Sequence, residues 1–238
     1  DMPISPAFNE DDVGDKPRHV RNLPLMSTKT IGAIQDRWRR RQETLQSLDR
    51  GIGAIINTLN TSGQIANTHI IFTSDNGYVE GEHRIPGAKD YLYESSARAP
   101  LFWLQPSGYG EPCDHQLSNL DVTAAIVELS GAVPQRVLDG TSLVPLLSDT
   151  AAAWNKAVLI QCSKAIGIAT YYYRYFEWYC GDVELYDMKA DPDQLTNVGG
   201  DERYADVRTA CAEALLALRG CAGSSCSWTG KFPLPPSQ

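Results

Sequence analysis

The stretch Thr68-His69-Ile70-Ile71-Phe72-Thr73-Ser74-Asp75-Asn76-Gly77 decides the fold of this chain. Its first seven residues are β-branched or apolar almost throughout, and a long helical pattern precedes them. Such a run reads as a strand buried on both faces of a parallel sheet. It stops abruptly at Asp75-Asn76-Gly77, a polar turn. In open α/β sheets, ligands bind beyond the carboxyl ends of strands. Asp75 and Asn76 therefore fall where chemistry is expected.

Upstream, apolar residues at Ile34, Trp38, Leu45, Leu48, Ile52, Ile55, Ile56 and Leu59 follow helical steps from about Thr30 to Leu59, and Gly63 supplies a stop. Arg37, Arg39, Arg40 and Arg41 open this helix and read as a solvated face. Residues 1–28 carry no periodicity and read as an irregular surface segment. Downstream, Ala99–Leu104 reads as a second buried strand, Leu120–Leu129 as a helix closed by Gly131, and Leu143–Leu147 as a short apolar segment. From Ala157 the character changes. Ala157–Gln161, Ile166–Tyr175 and Glu184–Tyr186 read as strands of a smaller antiparallel unit, and Tyr204–Leu218 as a last helix. The run from Tyr171 to Phe176 suits either one aromatic face of a sheet turned into the core or a carbohydrate platform. The expectation is an α/β chain in two units, residues 1–150 and 151–238.

With 238 residues, 42% of them hydrophobic and 21% charged, the composition argues against disorder, collagen and coiled coil. The balance of 21 basic against 29 acidic residues, −8 in all, disfavours nucleic acid or an anionic membrane as partner. The sequence has no apolar run long enough for a membrane span. Six cysteines, Cys113, Cys162, Cys180, Cys211, Cys221 and Cys226, allow 15 pairings, and none of them forms a CxxC. Cys221 and Cys226 flank Ala-Gly-Ser-Ser, a tight loop that a disulfide could bridge, and Asn60-Thr61-Ser62 is a glycosylation sequon. These features lean towards an oxidising compartment, so the expected location is secreted, periplasmic or lysosomal. Asp1 to Pro6 has neither the charged start nor the apolar run of a signal peptide.

Asp75 and Asn76 offer a carboxylate and an amide oxygen side by side. Hard cations such as Ca²⁺ and Mg²⁺ take oxygen ligands of this kind, whereas zinc favours nitrogen and sulfur. Calcium wants six to eight ligands, and a plain Asp-Asn-Gly turn uses the same residues. The following loop carries His83, Arg84 and Lys89, which are potential proton donors and anion holders. A lysine ammonium is a compact point charge suited to an oxyanion of sulfate or phosphate.

In combination, Ser74 to Gly77, Gly81-Glu82-His83-Arg84, Lys89, Tyr93-Glu94 and Arg98 to Leu101 closely resemble the sulfatase family, within the alkaline phosphatase superfamily. The likeness extends back through Arg37 to Leu59, in a form seen in the branch with N-acetylglucosamine-6-sulfatases. It extends forward through Leu117 to Leu147, ending in Asp139-Gly140-Thr141-Ser142-Leu143-Val144-Pro145-Leu146-Leu147, and to Glu184-Leu185-Tyr186-Asp187 with Asp191-Pro192. This resemblance implies the C-terminal part of an alkaline-phosphatase-like mixed sheet flanked by helices, plus a smaller antiparallel sheet with a C-terminal helix. It implies that Asp75 and Asn76 are two ligands of a single Ca²⁺ and that Lys89 holds the sulfate and an aldehyde-hydrate nucleophile. His83 is a catalytic and substrate-binding candidate, and Arg84 a substrate-binding one. Asn76, where phosphatase and phosphonate-hydrolase relatives more often place His, tilts the reading to sulfate.

The resemblance also implies a formylglycine made from Cys or Ser in Cys/Ser-x-Pro-x-Arg, and no such pentapeptide occurs here. The paired N-terminal aspartates of the calcium site and an upstream substrate histidine are absent too. The expectation is a C-terminal part that works with an N-terminal sulfatase segment or chain on a sulfate ester, a sulfated sugar among the candidates, and that is inactive alone. Two alternatives stay open: a phosphate or phosphonate ester hydrolase on the same fold, and a non-catalytic chain that binds sulfated glycans.

Overall fold

The computed structural model describes residues 1–106, 108–154, 156–228 and 230–236. In chain order its main elements are α1 (Arg18–Arg21), α2 (Thr28–Thr61), β1 (Ile70–Thr73), α3 (Glu94–Ala97), β2 (Leu101–Gln105), β3 (Gly108–Tyr109), α4 (Asn119–Ser130), α5 (Val144–Ser148), β4 (Val158–Gln161), β5 (Ala165–Ala169), β6 (Tyr173–Trp178), β7 (Val183–Asp187) and α6 (Ala205–Leu218). The architecture is mixed α/β, with two antiparallel sheets of order β1-β2-β3 and β4-β5-β6-β7.

Helix α2 begins where the Ser27 hydroxyl accepts the Thr30 N–H and ends at Ser62, followed by Gly63 at φ +72°. Ile34 is buried, while Leu45, Leu48 and Ile55 of the same stripe are exposed. The arginine cluster is not simply a solvated face. Glu80 receives both Arg37 (Nη2, 2.9 Å) and Arg41, and Arg37 also donates to the Pro86 carbonyl at 2.6 Å. Both guanidinium groups lie over the Tyr78 ring. These contacts fasten the helix over the loop that follows β1.

Strand β1 departs from the expectation of a parallel strand buried on both faces. Among the described residues it pairs only with β2, antiparallel, with Ile71 opposite Trp103 and Phe72 opposite Phe102. Ile71, Leu101 and Trp103 pack on Val122 and Ala125 of α4 and on Leu143 and Leu146. The opposite face carries Phe72 and Phe102, the latter 66% exposed. The pleat sends alternate side chains to opposite faces, and α4 covers only one of them. An unbroken apolar run cannot by itself report which of its faces is covered.

The second sheet is covered on both faces, and the side chains alternate accordingly. Ile166, Ile168, Tyr173, Tyr175 and Leu185 meet Val207, Cys211, Ala214, Leu215 and Leu218 of α6. Ala165, Phe176, Trp178 and Tyr186 meet Val20, Val79, Ile85, Leu92 and Tyr93. Each fully buried Leu, Ile or Phe here contributes about 1.5–3 kcal/mol. The expected single strand from Ile166 to Tyr175 is instead a hairpin. The Thr170 hydroxyl accepts the Tyr173 N–H at 2.9 Å, and Thr170 N–H donates to the Tyr173 carbonyl. The turn is made by a side chain in a run of strand-forming residues, with no Gly, Asn or Pro to announce it.

The turn after β1 is held from the α4 side. Ser118 N–H donates to Asp121 Oδ2 at 2.8 Å and so caps the helix start, and Gly131 at φ +67° closes its end. Cys221 and Cys226 form a disulfide. Among the described residues no helix is long and apolar enough to cross a membrane.

Candidate functional site

Asp75, Asn76 and Gly77 leave β1 at its carboxyl end in a geometry that needs the glycine. A Cβ on Gly77 would lie 2.2 Å from the Ser95 carbonyl oxygen, and Gly77 N–H already donates to Ser96 at 2.8 Å. The turn is thus pressed against α3. The Ser74 hydroxyl lies 3.2 Å from Asp75 Oδ1, and Asn119 Nδ2 of α4 donates to the Ser74 carbonyl at 3.0 Å. Asn76 Nδ2 donates to the Gly77 carbonyl at 2.6 Å. That bond orients the amide, and its oxygen has no hydrogen-bond partner among the described residues.

The Asp75 carboxylate is exposed, and its pKa lies below the ordinary aspartate value. The first cause is the Asn76 backbone N–H, then the Ser74 hydroxyl, then the positive charge of Lys89. Lys89 is itself exposed. Beyond this strand end the structure places a carboxylate beside an amide, and the positive charge of Lys89 is felt at the carboxylate. Among the described residues no group of three or more His, Cys, Asp or Glu side chains could hold a metal. The donor chemistry of Asp75 and Asn76 fits a hard cation, and these two supply part of a coordination shell of six to eight.

The contacts of His83 and Arg84 are with the N-terminal segment. His83 is 2% exposed at φ +52°, its Nδ1 is 2.6 Å from Glu10 Oε2, and its ring lies 4.3 Å from that of Tyr93. Arg84, at φ +63°, donates to the carbonyls of Glu10, Leu23 and Asp11 at 2.8, 2.9 and 2.6 Å. Both side chains bind the irregular N-terminal segment. Glu10 also lies 3.5 Å from Lys16 Nζ, which is fully buried and donates to Asp15 and to the Leu195 carbonyl. A buried chain of His83, Glu10 and Lys16 thus ties this loop to the C-terminal part.

Tyr93-Glu94 is the second tie. Tyr93 Oη donates to Glu184 Oε1 at 3.0 Å, and Glu94 pairs with Arg174 Nε at 2.7 Å. Glu184 is fully buried and also receives Trp178 Nε1 at 2.5 Å and the Tyr186 hydroxyl. Burial raises the Glu184 pKa to about 7, against the lowering effect of its three donors and of Lys16. The reading of the sequence missed Glu10, Lys16 and Asn119. Each reaches a partner far along the chain, at His83, Leu195 and Ser74 respectively, so no local spacing marks the contact.

Comparison with known proteins gives a consistent result. Residues 7–132 match the family described as Sulfatase, and residues 81–220 match N-sulphoglucosamine sulphohydrolase, C-terminal. A protein named sulfatase ppz1 from Metarhizium majus is 30% identical over 98% of this chain and 55% of its own length. The chain spans about half the length of the curated relatives it matches. Among solved structures, one of a protein in complex with its substrate D-glucosamine-2-N,6-O-disulfate aligns at TM-score 0.65 and 29% identity, over 74% of this chain and 39% of that one. The phosphonate monoester hydrolase of Agrobacterium radiobacter aligns at 0.64 and 29%, over 74% and 40%.

Proposed function

The chain belongs to the sulfatase family, and on that premise we propose that it supplies part of the cation and sulfate site of a sulfuric ester hydrolase. The observation that carries this reading is the exposed, ionised Asp75 beside the Asn76 amide and within the field of Lys89. Asp75 and Asn76 would hold a calcium ion, which when bound polarises the sulfate ester and draws charge from its oxygens. Lys89 contributes a fixed positive charge to the same anion, which is worth most where water is excluded. His83 and Arg84 act indirectly: they set the loop that carries Lys89 by holding it to Glu10, Asp11 and Leu23.

The 238 residues contain no Cys/Ser-x-Pro-x-Arg motif. The chain alone therefore has no route to a covalent sulfo-enzyme and is expected not to turn over. Its partner in catalysis is a sulfatase segment bearing that motif. The substrate class is a sulfate ester, with a sulfated amino sugar favoured by the ligand of the aligned complex. The phosphonate hydrolase likeness supports a second reading, a phosphate or phosphonate ester hydrolase on the same fold.

Paired aryl sulfate and aryl phosphonate esters, offered to a protein carrying both this chain and the nucleophile motif, decide between the two. Faster turnover of the sulfate is the expected result, and preference for the phosphonate overturns it. Hydrolysis of the aryl sulfate by the 238-residue chain alone would contradict the claim of incompleteness.

A further inference from the structure

An open cleft of about 400 Å³ lies between residues 112–116, residues 150–154 and the β5–β6 turn. Its walls include Asp114, His115, Gln116, Trp154, Tyr171 and Tyr172. The aromatic run that suited two readings divides here. Tyr173, Tyr175 and Phe176 are in the core, while Tyr171 is 55% exposed and Tyr172 half-buried, their rings 4.7 Å apart and nearly perpendicular. Trp154 Nε1 donates to the Gln116 carbonyl at 3.0 Å, which fixes the indole plane in the wall.

The electrostatics of the cleft point to a neutral ligand. Its lysine, Lys156, lies 5.9 Å from the Trp154 ring centroid and is paired with the buried carboxylate of Asp121. That charge is compensated and unavailable to a free anion, and exposed Asp114 adds a negative one. What remains is rigid aromatic surface flanked by a carboxylate, an imidazole and an amide. A sugar ring presents that combination in complement: an apolar C–H face for the aromatic rings and hydroxyls for the polar groups. The cleft is also well placed. Two residues after Gln116, the chain enters the α4 cap at Ser118, and Asn119 bonds the Ser74 carbonyl next to Asp75.

We propose that this cleft is a glycan subsite that takes an uncharged sugar unit next to the one bearing the sulfate ester. The proposal rests on the sulfatase reading for the identity of its ligand, but its contacts are independent of Asp75 and Lys89.

The test is saturation-transfer NMR on the 238-residue chain with N,N′-diacetylchitobiose, a neutral disaccharide. Transfer to the sugar C–H protons at millimolar concentration is expected, with affinity reduced about tenfold in Tyr171→Ala. Tyr171 is exposed enough that its truncation leaves the fold intact, and Asp114→Asn provides a second, more conservative variant that should also weaken binding. No transfer, or transfer unchanged in both variants, overturns the proposal. So does Tyr171-dependent binding of a proline-rich peptide in place of the disaccharide. Calcium titration of a protein that carries both this chain and the nucleophile motif reads the Asp75 site separately. Disaccharide binding without calcium binding keeps the cleft and sinks the sulfate site, and the reverse sinks the cleft alone.

Discussion

Tyr93 Oη and Glu184 Oε1 lie 3.0 Å apart in the interior, although 91 residues separate them in the chain. This contact joins the Tyr-Glu and Glu-Leu-Tyr-Asp motifs directly. Asp187, which closes the second motif, accepts the Tyr204 hydroxyl at 3.0 Å at the start of α6. Both motifs therefore serve assembly, clamping the loop after β1 to the small sheet.

The Glu184 carboxyl makes stability depend on pH. Its pKa is raised to about 7 in the fold, above the ordinary glutamate value, chiefly by burial. A raised acid pKa contributes stability that is fully present below the unfolded value and is lost as pH rises through about 7. Glu184→Gln keeps the shape and removes the charge, with its amide turned to the two tyrosine hydroxyls and its oxygen to Trp178. It is expected to match the parent at pH 5 and to exceed it at pH 8 by about 1–3 kcal/mol. Urea unfolding at both pH values measures this, and equal differences at the two would count against it.

Lys16 is the cation at the centre of the first tie, the chain of His83, Glu10 and Lys16. Replacing it with Met leaves the buried Glu10 carboxylate without its cation. Removing one member of a buried pair costs about 3–5 kcal/mol. A loss of that size in denaturant midpoint is expected for Lys16→Met. The pH dependence carried by Glu184 should move upward, because Lys16 helps hold that carboxyl down. A variant as stable as the parent would show the network to be dispensable.

Asp75→Ala removes an exposed group, so its effect on stability should stay within about 0.5 kcal/mol. Calcium binding by calorimetry, in a protein that also supplies the remaining ligands, should be lost. In a protein that also carries the nucleophile motif, turnover of an aryl sulfate should fall with it. Unchanged calcium affinity in a folded Asp75→Ala protein would refute the assignment of the ligand.

Gly77→Ala tests the packing behind the site. The new methyl meets the Ser95 carbonyl at 2.2 Å and the Arg98 carbonyl at 2.9 Å, both of them backbone. Relief requires the turn or α3 to move, at a cost of about 1–3 kcal/mol. Calcium affinity should weaken along with stability, although alanine touches no ligand. Thermal unfolding and calorimetry on one sample report both.

Much of this was legible in the sequence. Val207, Cys211, Ala214, Leu215 and Leu218 fall on one face of α6 and are all buried, since helical spacing encodes burial directly. The position of Asp75 and Asn76 beyond β1 was legible too, because an apolar strand that ends in polar residues marks its own end. The hairpin at Thr170 was not, because its turn depends on one hydroxyl. The settings of His83 and Arg84 were hidden for a different reason: their partners lie 73 and 74 residues back at Glu10, and no local pattern records such a distance. The coverage of β1 was misjudged because hydrophobicity reports a preference for burial and not the presence of a neighbour.

The three carbonyls gathered by the Arg84 guanidinium have a practical corollary. Glu10, Asp11 and Leu23 are gripped by a planar head group that does not depend on the peptide linkage between them and residue 84. A protease that nicks the exposed middle of α2 would therefore yield two fragments that travel together through gel filtration. They would come apart only when a denaturant competes for those oxygens.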